Sequence, residues 1–359
     1  MNIEKIGEPS VIMSNPLSKH NYFAWPSAVR LKNGRIAVGA SGYRLSHVCP
    51  FGKSVLSFSE DEGNSYTVPA PIIDTVLDDR DVGLCPFGES GLILTSFNNT
   101  TEFQRKYLER TPNEAAYRGA YLDFVSEEEQ NAVLGATFRV SFDHGVTFGP
   151  LYRSPVTSPH GPVELKDGTI LWVGRRFNGD PDRIEAYTLN PQNGEMTFVG
   201  AIENVAEEIL SCEPHTIELQ DGTLLCHIRM QRTTGRRSHD MLTTYQSVSK
   251  DGGKSWSRPE PLLDPLDGSP PHLLELPDGT LLCTYGRRIH PYGIRAMFST
   301  DGGKSWSTNH VVYENDLTHD LGYPATVLRK DGSLMTVFYD HPKEGDPAVI
   351  LQQNWRLVK

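Results

Sequence analysis

The sequence predicts an all-β protein assembled from six repeated hairpin units. Three observations carry that prediction: an excess of turn residues, a hairpin pattern that recurs at regular intervals, and a short acidic turn motif lying between the hairpins. The 359 residues include 32 glycines and 25 prolines, about 9% and 7% of the chain against ordinary shares of about 7% and 5%. Spread evenly, such residues mark many short strands joined by turns.

Each hairpin unit has a proline or small residue at its opening, an apolar strand, a turn with glycine and a second apolar strand. The copies span 25–42, 81–97, 158–176, 212–229, 269–288 and 322–340. Their turn glycines, Gly34, Gly91, Gly168, Gly222, Gly279 and Gly332, are separated by 57, 77, 54, 57 and 53 residues. Five of the turns read Asn-Gly or Asp-Gly, which predicts two-residue hairpin turns with both central residues at positive φ. The wide second interval holds residues 101–134, rich in Glu, Ala, Arg and Tyr. It reads as an insertion containing a short helix capped at Ser126, ahead of Glu127-Glu128-Glu129.

The second motif has the form Ser-x-Asp-x-Gly-x-Ser/Thr-aromatic. It occurs at 59–66, 141–148, 249–256 and 299–306, with a degenerate copy at 190–198. Its chemistry is structural: the Asp accepts main-chain hydrogen bonds across a tight turn, glycine supplies positive φ, and the aromatic packs beneath. These motifs are therefore given no catalytic part.

Charge narrows the partners. With 34 Lys and Arg against 45 Asp and Glu, the net charge is -11, and a nucleic-acid partner, which needs a basic face, is not expected. No apolar run approaches the length of a membrane span, and no basic amphipathic segment suggests a membrane surface. The first residues lack the apolar core of a leader, so the cytoplasm is the expected compartment. Five cysteines without CxxC spacing predict no disulfide framework or metal site, and Cys226 and Cys283 read as buried small hydrophobes. No P-loop, dinucleotide fingerprint, HExxH or GxSxG is present, and no cofactor is expected.

Four acidic-turn motifs set between hairpins make the chain resemble the sialidase superfamily, whose members carry Asp-boxes, also called BNR repeats, and the likeness extends along nearly the whole length. It implies a six-bladed β-propeller of four-stranded antiparallel blades around a central channel, one domain over 1–359 with the 101–134 insertion in the second blade. After the sixth hairpin only 348–356 remains as strand, so 3–13 is expected to complete the last blade and leave no free edge.

In such a ring the inner strands converge on the channel. Their openings offer Trp25, Asp81, His160, Glu213 with His215, His272 and Tyr323, and the far ends of the hairpins offer Arg44, Arg175, Arg229, Arg287 and Arg288. Strand alternation puts Leu224, Cys226 and Ile228 on one face and Leu225, His227 and Arg229 on the other. Arginines, carboxylates, histidines and a tyrosine at one end of a channel suit an anionic sugar. Glu213 followed sixteen residues later by Arg229, and Gly322-Tyr323-Pro324-Ala325, are the places where the likeness sharpens. It implies Tyr323 as nucleophile, Glu213 as its base, and Arg229 with Arg288 or Arg295 as holders of a substrate carboxylate.

Two departures shape the expectation. The family opens its first blade with Phe-Arg-Ile-Pro, and this chain has Phe23-Ala24-Trp25-Pro26, with Ala24 where the arginine is expected; Arg30 and Arg44 are the candidate substitutes, neither at the same place. No Asp lies between Arg44 and Ser59, so Asp81 or His47 is the expected general acid. His160, His215 and His272 recur at matching positions. A metal site and a hydrogen-bonding set are both open to them; the matched motifs require no metal, and His160 and His272 are placed among the substrate-binding residues. The expected function is an exo-glycosidase that removes a terminal acidic sugar, sialic acid or a relative, from a glycan. The alternatives are a glycosidase or lyase for a different sugar, and a non-catalytic carbohydrate-binding propeller.

Overall fold

A computed structural model describes residues 1–108, 112–177, 183–232, 242–263, 268 and 270–358. Six antiparallel sheets are arranged as blades, each counted here from its inner strand outward. Blade one is Tyr22–Arg30, Ile36–Arg44, Lys53–Ser59 and Ala70–Ile73; blade two is Arg80–Phe87, Gly91–Phe97, Ala136–Ser141 and Tyr152–Ser154. In blade three the inner strand is split into Val156–Thr157 and Val163–Glu164, followed by Ile170–Arg176, Ile184–Leu189 and Met196–Ile202. Blade four is Ile209–Glu218, Leu224–Arg232, Leu242–Ser249 and Glu260–Pro261; blade five is Pro271–Glu275, Leu281–Arg287, Gly293–Ser299 and Ser307–Glu314. Blade six takes Gly322–Leu328, Leu334–Asp340 and Val349–Val358 from the C-terminus and Asn2–Met13 from the N-terminus as its outermost strand. The predicted closure is thus formed, and the ring is held by a ladder in which Asn2 faces Val358 and Met13 faces Ile350.

The core lies between blades. Leu224, Cys226 and Ile228 pack with Leu171 and Val173 of blade three, while Leu225 packs with Leu281 and Cys283 of blade five. The alternation of the strand therefore serves two neighbours at once, and every adjacent pair of blades has its own apolar cluster. All five cysteines are free and buried. No helix among the described residues is long and apolar enough to cross a membrane.

The hairpin turns differ from the expectation in one respect. At all five Asx-Gly turns only the glycine has positive φ, for example Gly34 at 90° and Gly222 at 85°. Gly34 N donates to Leu31 O at 2.9 Å and Leu31 N donates to Arg35 O at 2.9 Å, a three-residue loop closing on a glycine bulge rather than a two-residue turn. The Asx residue is explained by its side chain: Asp221 Oδ1 accepts from Thr223 N at 2.9 Å and Asp167 Oδ1 from Thr169 N at 2.8 Å. Ser269, the first residue of the fifth hairpin as read from sequence, lies outside the described residues.

The acidic motifs close third-to-fourth-strand turns. In the first, Asp61 accepts from Ser65 N at 2.8 Å and from Ser65 Oγ at 2.6 Å, and Ser59 Oγ donates to Asp61 at 2.9 Å. The same bonds recur around Asp143, Asp251 and Asp301. The degenerate copy falls at the matching turn of blade three with a different geometry, in which Gly194 N donates to Asn190 O. The insertion holds three helices, Thr101–Leu108, Pro112–Phe124 and Glu127–Val133, instead of one; its residues 109–111 lie outside the described residues. Ser126 caps the third through a capping box with Glu129. Emerging from the channel-side end of Gly91–Phe97, the insertion packs over blade one, where Phe51 meets Tyr121 at 4.8 Å and buried Arg118 donates to Val48 O at 2.8 Å.

Candidate functional site

Four inner strands break their ladder near the same level, and each break carries a residue in the left-handed region: Trp25 at φ 52°, Asp81 at 48°, Glu213 at 49° and Tyr323 at 51°. The register shifts fall between Ala24 and Ser27, Arg80 and Gly83, Cys212 and His215, and Gly322 and Ala325. A bulge inserts an extra residue and turns its side chain out of the regular alternation. Positive φ is costly for residues other than glycine, Trp and Tyr included, and strain of this kind clusters at functional sites. Proline follows three of the four, at Pro26, Pro214 and Pro324, where its missing N–H has no ladder partner to lose.

Two of these residues meet across the channel. The Tyr323 hydroxyl donates to Glu213 Oε1 at 2.6 Å, and Arg229 Nη1 donates to Glu213 Oε2 at 2.6 Å. Arg229 Nη2 donates to Gln231 at 2.9 Å. Burial works to raise the Glu213 pKa, but Arg229, the Tyr323 hydroxyl and Arg288 outweigh it and hold the carboxyl below its usual range. Burial, reinforced by Glu213 and Asp81, pushes the Tyr323 phenol well above its ordinary value. The pair is therefore a neutral phenol against an ionised carboxylate, joined by a short charge-assisted bond.

Asp81 is 6% exposed, and its Oδ1 is buried without a hydrogen-bond partner. Burial raises its pKa to about 7, with Glu213 adding to the rise and Arg80 opposing it. Asp81, Glu213 and Arg229 line one cavity of about 510 Å³ together with Ser158, Arg175, Arg176 and Gln231. Phe97 and Asn99, at the root of the insertion, form another part of its wall.

A second polar cluster flanks Tyr323. Asp320 accepts from the hydroxyls of Tyr22 and Tyr339, each at 2.9 Å, and lies 3.2 Å from His47 Nδ1 and 3.3 Å from His341 Nε2. Tyr339 accepts from Arg288 Nη2 at 3.2 Å, and the Arg288 guanidinium stands 5.5 Å over the Tyr323 ring. Despite burial, hydrogen bonds from His341 and His47 drive the Asp320 pKa far down, and the bond to Asp320 lifts that of His341. Asp320, Tyr22, Tyr339 and His341 were not singled out by sequence reasoning. Asp320 and Tyr22 are 298 positions apart, and only ring closure brings them together.

The remaining candidates are placed as follows. His47 touches Trp25 and Asp320 at the rim, and burial lowers its pKa against the opposing hydrogen bond to Asp320; it does not line the cavity of Glu213 and Asp81. Arg44 does not reach that cavity either. It is wholly buried, ion-paired with Asp78 at 2.6 Å, and stacked with Arg80 on the Trp25 ring at 4.8 and 4.0 Å. Buried Ala24 stands at the place of the missing first-blade arginine, and its neighbour Trp25 is buried against the Arg44 and Arg80 guanidiniums. Arg295 lies in the third strand of blade five, 2% exposed, and bonds Glu314 and the carbonyls of Tyr313 and Pro291.

His160 and His272 sit lower in the channel with His215, their ring centroids 4.6–5.0 Å apart, around a separate cavity of about 890 Å³ that opens by the Asx-Gly turns. His215 Nδ1 accepts from Leu273 N at 2.8 Å and His272 Nδ1 accepts from Thr326 N at 3.4 Å. The His215 and His272 rings thus stitch their blades to the next and satisfy an inner-edge donor. Among the described residues no group of three His, Cys, Asp or Glu is arranged to hold a metal.

Six antiparallel blades around a polar channel mouth define a six-bladed β-propeller. The chain belongs to the BNR repeat-like domain family, whose pattern matches residues 121–336. It is similar in structure to a protein of unknown function from Dyadobacter fermentans, with 21% identity, 99% of this chain and 100% of that one covered, and a TM-score of 0.76. It is also similar to the NanB sialidase of Streptococcus pneumoniae, with 13% identity, 98% and 71% covered, and a TM-score of 0.68. A third likeness is to an α-L-arabinofuranosidase of Fusarium graminearum, with 12% identity, 99% and 98% covered, and a TM-score of 0.58. At these identities the likenesses establish the fold. No curated protein matches the sequence.

Proposed function

We propose that the protein is a retaining exo-glycosidase acting on a terminal acidic sugar, with Tyr323 as nucleophile, Glu213 as its base and Asp81 as general acid. The observation that carries this reading is the 2.6 Å bond from the Tyr323 hydroxyl to Glu213. A phenol with a raised pKa is inert alone, and a positioned carboxylate makes it reactive. As Tyr323 Oη attacks the anomeric carbon, Glu213 takes its proton. Asp81 gives its proton to the glycosidic oxygen, and the alcohol departs. Water then attacks the anomeric carbon and yields a proton to Asp81, while Glu213 returns its proton to the phenol oxygen. Two displacements retain the configuration. A neutral nucleophile suits a sugar carbon that bears a carboxylate, since no anion has to approach another.

Of the two candidate acids, the lowered pKa of His47 and the raised pKa of Asp81 favour Asp81. One observation favours a second reading, a glycosidase for a different sugar: Arg229 and Arg288 already have protein partners, Glu213 and Tyr339. Purified protein assayed on fluorogenic sialosides and a panel of neutral glycosides tests both. Turnover of sialosides supports the first, turnover of neutral glycosides alone supports the second, and no turnover of any supports a carbohydrate-binding module.

A further inference from the structure

The floor of the channel holds three histidines and a cavity of about 890 Å³ that the catalytic reading does not use. His215 and His272 are stacked, with 14° between their planes and 4.6 Å between centroids, and His160 meets both at steep angles, 5.0 and 4.9 Å away. Burial lowers the pKa of all three, so the rings are neutral at pH 7 and each carries one N–H. Because Nδ1 of His215 and of His272 accepts a main-chain N–H from the next blade, their protons sit on Nε2.

Among the described residues nothing accepts those two protons, and their Nε2 atoms are not sealed from solvent as the nitrogens of His160 are. His160 is 2% exposed, and neither of its ring nitrogens has a partner among the described residues. Three N–H donors thus share a space in which the one ring acceptor left over is the second nitrogen of His160. A buried donor without an acceptor is costly, and here the acceptor has to come from outside.

The surroundings indicate its chemistry. Ile217, Leu274 and Leu328, from blades four, five and six, are half-buried and line the same cavity. Arg30, Lys32, Arg329 and Lys330 line it against Glu164, and Glu62 pairs with Arg30 at 2.6 Å and with Lys330 at 3.4 Å. Four cations against two carboxylates make this end locally positive on a chain of net charge -11, a focus that draws anions. Apolar walls with a few convergent polar groups are the make-up of a small-molecule site. Sugar hydroxyls would bring further donors to a space already short of acceptors; a carboxylate brings acceptors alone.

We propose that the channel floor is a second ligand site that takes a small organic acid, the carboxylate accepting from His215 and His272 Nε2–H and the apolar body resting on Ile217, Leu274 and Leu328. It does not rest on the glycosidase reading of the upper cavity.

The probes are benzoate and hexanoate, their amides and inorganic phosphate, titrated by calorimetry into the full chain. At least one acid is expected to bind about tenfold or more tighter than its amide and than phosphate. His215→Asn keeps an acceptor at the place of Nδ1 and removes the Nε2 donor, so it should weaken that acid about 10- to 100-fold. Lys32→Gln, an exposed change free of any folding defect, should weaken it about threefold and flatten its salt dependence. Glu213→Gln, which alters the upper cavity, should leave it unchanged. No binding of either acid, an amide or phosphate bound as tightly as the acid, or His215 and Lys32 variants that bind as the wild type does would each overturn the proposal. Loss of binding in Glu213→Gln alone would place the acid in the upper cavity and overturn it too. Acid binding at the floor of a protein that turns over no glycoside would keep the site and sink only the glycosidase reading. Unchanged thermal melting of His215→Asn excludes misfolding as the cause of its loss.

Discussion

Tyr323 of blade six reaches Glu213 of blade four with a hydrogen bond of 2.6 Å, and both residues hold the left-handed backbone conformation at a break in their strands. The bulges bring the two side chains into each other's reach, while the Tyr323 ring stays packed against Trp25 and Tyr339 between blades one and six.

Replacing either partner should remove turnover. Tyr323→Phe deletes the nucleophile, and Glu213→Gln leaves a phenol that no base deprotonates. A loss of about 10²–10⁴-fold in kcat is expected for each, with glycan affinity retained in Tyr323→Phe. Steady-state kinetics with binding measured alongside checks this. Full activity in the phenylalanine variant would rule out the covalent mechanism.

The pH dependence of kcat/KM should be bell-shaped. Asp81 acts as an acid, so activity is expected to fall as pH rises through about 7. Glu213 acts as a base with a depressed pKa, so the acid limb should lie below the ordinary glutamate range. In Asp81→Asn the alkaline limb should vanish along with most of the activity on unactivated leaving groups. A phenol leaving group that needs no proton should recover part of the rate.

Asp81 also burdens the fold. A carboxyl whose folded pKa exceeds its unfolded value of about 3.9 binds more protons when folded, so stability falls as pH rises from about 4 to 7. Asn tolerates positive φ as well as Asp does. Asp81→Asn is therefore expected to stabilise the protein by about 1–3 kcal/mol at pH 8 and by little at pH 4. Denaturant titrations at the two pH values measure the difference; an Asn variant less stable at pH 8 would contradict the assignment.

The acidic turns behave with the opposite sign. Hydrogen bonds from Ser65, then Ser59, hold Asp61 down to about 2, and Asp143 and Asp251 are held to about 2 by the matching bonds. Their contribution is complete above the unfolded value of about 3.9 and is lost as pH falls through about 2. Asp251→Asn should lower the melting temperature at pH 7 and not at pH 2, with turnover unchanged. Thermal scans at both pH values check it.

Blades two and three approach at a glycine pair. A Cβ on Gly83 would lie 2.3 Å from Gly161 N, a main-chain atom that no rotamer can move. Gly83→Ala should destabilise the fold by about 1–3 kcal/mol or more and displace Asp81, two residues before it. Gly279→Ser is a useful contrast, since nothing lies within 4 Å there and only its φ of 80° is strained.

Much of the ring was legible because its signals are local. The Asx-Gly turns and Asp-boxes each complete their hydrogen bonds within a few residues, as Asp61 does with Ser59 and Ser65, so a short window of sequence holds the whole device. Their regular recurrence, and too few strands after the sixth hairpin, pointed to the N-terminal strand as the closing one. The count of helices in the insertion was not legible, because its helices rest on blade one through Arg118 and Tyr121 rather than on a strong apolar stripe of their own.

At the site, the repeat alone places residues at the openings of the inner strands, since position in the repeat fixes position around the channel. What those residues touch was decided by tertiary structure. Arg44 was drawn into the blade by Asp78, an Asp from the next blade's approach, and Arg295 by Glu314 on a neighbouring strand. Asp320 became a hub because the closed ring puts Tyr22, His47, Tyr339 and His341 around it. The physical reason is that an arginine or a carboxylate has no intrinsic preference among oppositely charged partners. Burial and reach choose the partner, and both exist only once six blades have closed into a ring.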